Sequence, residues 1–437
     1  MPGTERKGTE GRRDEGTEGN PQSPIRNPQS AIRNPQSPIR RAAAIYVLTL
    51  MIAMIVTATA TTLLALQMAN RRLHRNLGDA LQAEYIAYAG LDWALGKYQN
   101  DPSWRSTAVS GADIVLNLID GIGTNVTITD PTNDFTDNDT EPVALAISSD
   151  ANGALFSFTA GLDPAPHEAL GYAIYASGTV TFSKVATVRG PIYSDQGFTA
   201  FLGVNNLDNG GFRMLETGSV FGTVPNLTIV PSAGPHLTPN LEFYISRATQ
   251  LASAGIDFDL IDARVSSSSS TEGGANGEGV YHIDAEGAKV KLRNVYLKGT
   301  LIITNTAGND VEIVDGCRME PGAAGYPTLL VACWPGSLTI APVMPLDEAG
   351  RGVDFNDDGD TQDVIPSAFF GVIWTDAPVT TLGGDGVPYT GSIIAGDVNV
   401  VDAVVIDDDP NLAGRLMHGF TDGKLHLRRG SIRATTP

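Results

Sequence analysis

Between Arg41 and Arg71 the chain carries no charged residue, and from Ala42 to Ala69 most side chains are Ala, Leu, Ile, Val, Met or Thr. As a helix, this stretch reaches about 42 Å at ~1.5 Å per residue, more than the ~30 Å hydrocarbon core of a bilayer. It is also longer than the roughly 7–15 residues of a signal-peptide core. The stretch therefore predicts a membrane anchor with some tilt or protrusion. Thr49, Ala53, Thr57, Thr61, Ala65 and Ala69 fall four apart and form a ridge of small side chains. Such a ridge lets a second helix approach closely, although a segment this rich in Ala and Thr also produces one by chance.

The rest of the chain has the opposite character. Lys and Arg total 29 against 49 Asp and Glu, a net charge of −20, and eight of the basic residues lie at or before Arg41. So acidic a body argues against nucleic-acid binding, which needs a basic footprint, and suits an extracytoplasmic body or one that holds cations. Ahead of the anchor, residues 1–39 predict a disordered leader built on NPQSPIR, NPQSAIR and NPQSPIR repeats at Asn20–Arg26, Asn27–Arg33 and Asn34–Arg40. No Met, Val or Leu lies between Met1 and Val47, so the leader holds none of the common alternative starts. Arg40 and Arg41 precede the anchor and Arg71, Arg72 and Arg75 follow it; the acidic body favours a cytoplasmic N-terminus in a single-pass protein.

The helix is expected to continue past the anchor to about Gln99. Leu73, Leu77, Leu81, Tyr85, Tyr88, Leu91, Leu95 and Tyr98 recur at spacings of three and four, an apolar stripe that Asn100-Asp101-Pro102 ends. A rod of residues 40–100, half in lipid and half laid on a folded domain, is the plan of a type IV pilin-like subunit. Basic residues entering a long helix that then carries an A-x-x-A-x-A-G-L-x-x-A-L-like run, matched by Ala83 to Leu95, make this N-terminus resemble PilX-type minor pilins and, more distantly, type II secretion minor pseudopilins. The resemblance covers about 65 residues. It implies a structural subunit in the inner membrane of a bacterium, with lipid, other pilin-like subunits and pilus or secretion assembly machinery as partners. The chain departs from the prepilin pattern. Arg41-Ala42-Ala43-Ala44 offers no Gly for cleavage, and no acid lies between Arg41 and Asp79 to pair with a neighbour's N-terminal amine. That points to a rare minor or tip subunit, or to an uncut static anchor, in place of a bulk polymer.

Beyond the rod the period changes to two. Asp113–Ile119, Asn125–Thr129, Pro142–Ser148 and Leu155–Thr159 predict a small antiparallel sheet over 101–165 packed on the helix. From 166 to 437, strands of three to five residues end in Gly, Asn or Ser turns about every eight residues, with a helical interruption near 236–254. This rhythm predicts a right-handed β-helix or related solenoid, against the alternative of a β-sandwich with longer strands. The fold class expected is thus α+β: a long transmembrane helix, a small antiparallel sheet, then a mainly β solenoid-like region.

Inside the acidic loop 347–365, Asp354, Asn356, Asp358 and Asp360 stand at positions 1, 3, 5 and 7 of a D-x-N-x-D-G calcium-loop start, with Gly359 at the sharp turn. Position 12 is Ile365, so Asp363 would supply the closing carboxylate for Ca2+; the alternative is an acidic turn kept soluble by its charge. Cys317 and Cys333 read either as a disulfide between neighbouring coils or as two buried thiols. The six histidines lie singly, and no nucleophile elbow, zinc-protease or phosphate-binding loop occurs, so no catalysis is expected. Two alternatives to the pilin-like reading are a polysaccharide-active β-helix enzyme anchored at the envelope, since acids on one rung face are invisible to a linear reading, and a bactofilin-like scaffold, which would lack the long helix. Surface carbohydrate or protein is the expected adhesion target.

Overall fold

The computed structural model describes residues 38–101, 103–119, 122–201, 204–206, 211–234, 236–251, 257–381 and 387–435. The low-complexity leader therefore lies outside the described residues, apart from its last two positions. The chain divides into two units, Met1–His74 and Arg75–Pro437. Helix α1 runs from Pro38 to Asn100 and is followed by the short helix α2 (Trp104–Thr107). In the first unit its residues 43–74 are all exposed.

In the second unit α1 lies on an antiparallel sheet of β1 (Asp113–Ile119), β2 (Ile122–Thr129), β3 (Val143–Ala151) and β4 (Ala154–Pro166), paired in that order. Strand β3 alternates buried and exposed side chains along its length, as expected where one face of a sheet meets a core. The chain's end completes this sheet: Thr421–Leu427 and Arg433–Ala434 both pair with β4. The sheet expected over 101–165 alone thus borrows two strands from more than 250 residues away, which no local pattern announces.

The helix face that meets the sheet matches the stripe read in the sequence at Leu91 and Tyr98 but not toward its start. Leu77, Leu81 and Tyr85 are exposed, as is Leu73 in the first unit, while Ala83, Ile86, Ala87, Leu91, Ala94 and Tyr98 are buried. The small residues win because the helix lies close to the strands. At Gly90 an added Cβ would stand 3.1 Å from Thr124 Cγ2 and 3.5 Å from Ile147 Cγ2. The run from Ala83 to Leu95 is therefore a contact surface whose Ala and Gly positions allow a close helix-on-sheet approach. Of the expected stripe, Leu77, Leu81 and Tyr85 face outward, while Leu91 and Tyr98 reach the core and Tyr88 stacks on Phe158 at 5.2 Å.

Between Ile174 and Asp407 the described strands, apart from the pair Leu346–Asp347 and Val364–Ile365, build one 22-stranded sheet in which each short strand pairs in parallel with the strand one coil away. The interior is a single Val/Ile/Leu/Phe core. Along Lys289–Lys298, Val290, Leu292, Val295 and Leu297 point inward while Lys289 and Lys291 stay outside on Glu312. The corner in that strand is made by Asn294 at φ 49°, stacked between Asp262 at φ 52° and Asp315 at φ 61°. Asn294 donates to Asp262 Oδ1 at 2.8 Å and accepts from the Gly316 amide at 3.1 Å. Asn and Asp tolerate this left-handed conformation because their short polar side chains find local partners.

The order of coils does not follow the chain. The stack begins with Ile174–Ala176, Thr179–Phe182 and Ala186–Arg189, grows through Ile192–Ser194 and Gly197–Ala200, and reaches Leu227–Val230. The chain then travels back along the outside. The Gly234 amide donates to Tyr193 Oη, and the Leu237 carbonyl accepts from Trp374 Nε1. The helix α3 (Leu241–Ile245), capped by Asn240, packs beside Val280 and Ile302. That return includes the expected interruption near 236–254, of which 252–254 lie outside the described residues. The stack restarts at Thr249–Gln250, and its last coil closes onto the first: Ile393 pairs with Ile174, Val398 with Val180 and Val405 with Thr187. Polar rim contacts fix this register. Asp397 Oδ1 accepts from the Thr179 amide at 2.6 Å, Arg189 meets Asp407 at 2.8 Å, and Lys184 pairs with Asp402.

Candidate functional site

The apolar part of α1 is long and apolar enough to cross a membrane, and no part of that window is buried. Its hydroxyls are satisfied within the helix itself. Thr49 donates to the Ile45 carbonyl at 2.8 Å, Thr57 to Ala53 at 2.8 Å and Thr61 to Thr57 at 3.0 Å. The ridge Thr49, Ala53, Thr57, Thr61, Ala65 and Ala69 is exposed throughout, and with its polar atoms turned inward it presents a methyl surface fit for lipid or for another helix.

The acidic loop projects from the stack, closed at its base by the pairing of Leu346–Asp347 with Val364–Ile365. Its organiser is Glu348, a fully buried carboxylate that accepts from the amides of Phe355 at 2.7 Å, Asn356 at 3.3 Å and Asp363 at 3.3 Å. Asp354 accepts from the amides of Asp357 and Gly359. Asn356 Nδ2 donates to Asp358 at 3.0 Å and to Asp363 at 2.7 Å. The Asp360 amide and Asn356 hold the Asp358 carboxyl below its ordinary value. Arg264 stands against the loop, 3.0 Å from Asp357 and 3.7 Å from Asp354. These bonds make a run of tight Asx turns, with an arginine beside Asp354. Glu348 and Arg264 escape a linear reading because Glu348 falls outside the D-x-N-x-D-G spacing and Arg264 lies 90 positions before Asp354.

Cys317 and Cys333 are free, buried thiols, so the disulfide alternative is not formed. Cys317 lies over Ser367, which precedes the strand Ala368–Thr375, and Cys333 lies beside Thr375 at its end. The roughly 5.5 Å Cα spacing of a disulfide is not met across that separation. Burial pushes the Cys333 thiol up to about 12 and the Cys317 thiol higher still.

An open groove of about 970 Å³ runs between α3 and the stack, lined by Glu242, His282, Asp284, Glu286, Asn305 and Trp334. The Trp334 ring is 65% exposed. Burial holds His282 below its usual 6.5, and its Nε2 lies 2.8 Å from Thr304 Oγ1. A second acidic feature, which the sequence reading passed over, is the β2–β3 connection. There one ligand oxygen each from Asp130, Asp137 and Glu141 lies within 4.8 Å of the others. Its signal in the sequence was a carboxylate at positions 1, 5, 8, 10 and 12 of Asp130–Glu141.

The geometry defines a chain with a long apolar helix, an antiparallel sheet and a parallel-stranded stack. No family model and no curated protein matches it. Among solved structures it is similar to the competence-associated pilin ComZ from Thermus thermophilus, at 15% identity and a TM-score of 0.27, over 82% of this chain and 98% of that one. A TM-score of that size does not equate the two folds.

Proposed function

We propose that this chain is a membrane-anchored, pilin-like structural subunit of a bacterial envelope. In this reading it is a minor or tip subunit that joins or primes a type IV pilus-like filament, with its N-terminus cytoplasmic and its head, read as a β-solenoid, outside the inner membrane. The carrying observation is the division of labour on α1 after Arg75. Its small-residue face is spent on the chain's own sheet, and Leu81 at 45% and Tyr85 at 73% exposure are left uncovered beside Leu77. A soluble protein gains by covering such a row, and helices of neighbouring subunits would cover it. The PilX-type affiliation rests on the Ala83–Leu95 run, whose Ala and Gly positions have a structural use here. No catalysis is assigned. Within the same proposal, Asp354, Asn356, Asp358, Asp360 and Asp363 form an oxygen-rich loop open to Ca2+ if the ion displaces Arg264.

The test uses Leu81→Cys, with Asp92→Cys as a control elsewhere on the helix, in membranes of the producing cell under mild oxidation. Because both native thiols are buried, only the new one reacts. Disulfide-linked products at Leu81→Cys and none at Asp92→Cys are expected; equal products from both would refute helix packing through this face. A second reading, an envelope-anchored polysaccharide-binding or polysaccharide-active head, is supported by Glu242, Asp284 and Glu286 lining one open groove with the exposed Trp334. An aromatic face beside carboxylates is the usual surface for a sugar ring.

A further inference from the structure

The geometry points to a divalent-cation site, with Ca2+ as the ion, in the β2–β3 connection, formed by Asp130, Asp137 and Glu141 and distinct from the loop at 354–363. A group of acids alone would not carry this, because exposed carboxylates gather on many surfaces. What carries it is how their oxygens are used. Asp130 is 1% exposed. Its Oδ2 accepts from the Thr132 amide at 3.0 Å, the Thr132 hydroxyl at 2.5 Å and the Asp134 amide at 3.2 Å, while its Oδ1 is buried with no partner. Glu141 repeats the pattern: Oε1 accepts from Asn138 Nδ2 at 3.0 Å, and Oε2 is buried with no partner. On each carboxylate one oxygen shapes the loop and the other is left bare.

A bare buried carboxylate oxygen is costly unless a cation meets it. Two of them belong to residues of one group whose ligand oxygens lie within 4.8 Å of one another. Two oxygens bound to one Ca2+ at about 2.4 Å stand at most about 4.8 Å apart, so the spacing suits a shared ion. The donor set is all oxygen, with no imidazole or thiolate in the group, which selects a hard cation over zinc. Arg105 is the competing charge. Its guanidinium donates to the carbonyls of Phe135 at 3.4 Å, Asn138 at 3.3 Å and Glu141 at 3.4 Å. Three carboxylates against one guanidinium still leave two negative charges for a divalent ion.

The site would have a mechanical role. Phe135, inside the loop, packs 5.3 Å from Trp104, and Asp139 accepts from the Gly419 amide at 2.9 Å and the Thr421 hydroxyl at 2.8 Å. The ion would therefore stiffen the connection that holds the returning chain end to the sheet.

Trp104 supplies the assay, since its indole can sensitise Tb3+ bound in the loop. The full chain in mild detergent is titrated with Tb3+ and then with Ca2+ or Mg2+. Trp-sensitised emission that Ca2+ displaces better than Mg2+, and that is weakened about tenfold or more in Glu141→Gln and Asp137→Asn but kept in Asp358→Asn, is the expected result. Emission unchanged in the first two variants, lost only in Asp358→Asn, or displaced equally by Mg2+ would overturn the assignment. Should both substitutions disturb folding, hydrogen exchange on the unaltered chain decides: Ca2+ must slow the amides of 132–141, and no change rejects the site. None of these outcomes depends on filament entry.

Discussion

Replacing Trp104 with Ala tests how the chain's end is held to the helix. Trp104 is 1% exposed, its indole packs at a tilt 4.9 Å from the Tyr98 ring of α1 and edge-on 5.3 Å from Phe135, and it donates from Nε1 to the Gly423 carbonyl at 2.9 Å. One side chain thus joins the last turn of the rod, the β2–β3 connection and the strand Thr421–Leu427. Removing a buried Trp costs about 3–5 kcal/mol, and the lost hydrogen bond adds about 1. At about 1.4 kcal/mol per tenfold, the amides of Thr421–Leu427 should exchange with solvent roughly a thousand to ten thousand times faster in Trp104→Ala. Trp104→Phe keeps most of the apolar contact and loses the donor, so about a fivefold acceleration is expected. Hydrogen exchange read by mass spectrometry on the detergent-solubilised chain resolves both. If Trp104→Ala left that strand within threefold of the unaltered protein, the indole would not be what fixes it.

Two further outcomes follow from the head. His418 stacks on Phe243 at 4.1 Å, and burial holds it below its usual 6.5, against the raising influence of Asp139 and Glu278 and with Arg247 lowering it further. A histidine depressed on folding contributes stability that is complete above about pH 6.5 and is lost as the pH falls through its folded value. The thermal unfolding temperature should therefore fall from pH 7.5 to pH 5; His418→Gln should cost about 1 kcal/mol at pH 7.5 and flatten that slope, and an unchanged slope would exclude this imidazole. The raised Cys317 and Cys333 thiols should resist maleimide at pH 8 in the native chain and label at two sites per chain in denaturant without reductant. Zero sites under the second condition would mean that the pair is oxidised.

Some of this was legible in linear form because it depends on neighbours in the chain. An uncharged run of this length can satisfy its backbone only as a helix, and its threonines, bonded to carbonyls three or four residues back, carry no information from elsewhere. The turn rhythm beyond residue 166 likewise announced many short strands, since Gly, Asn and Asp set local backbone angles. The acidic loop at 354–363 was visible as spacing, and its base pairing as a hairpin falls within 20 residues.

What the tertiary structure alone decided concerns partners far apart in the chain. Hydrophobic periodicity marked the Leu and Tyr stripe of α1 as the buried face, and its later members Leu91 and Tyr98 are buried, but Leu77, Leu81 and Tyr85 are exposed and Ala83, Ile86 and Ala87 are buried in their place, beside a Gly90 that stands tight against Thr124. The closure of the stack pairs residues 218 or 219 positions apart, through Arg189 and Asp407 among others, and the chain's last strands return to a sheet begun at Asp113. The bare oxygens of Asp130 and Glu141 belong to the same class. A sequence shows which residues are carboxylates, and only the packing around them shows which oxygens already have a donor and which remain to receive a cation.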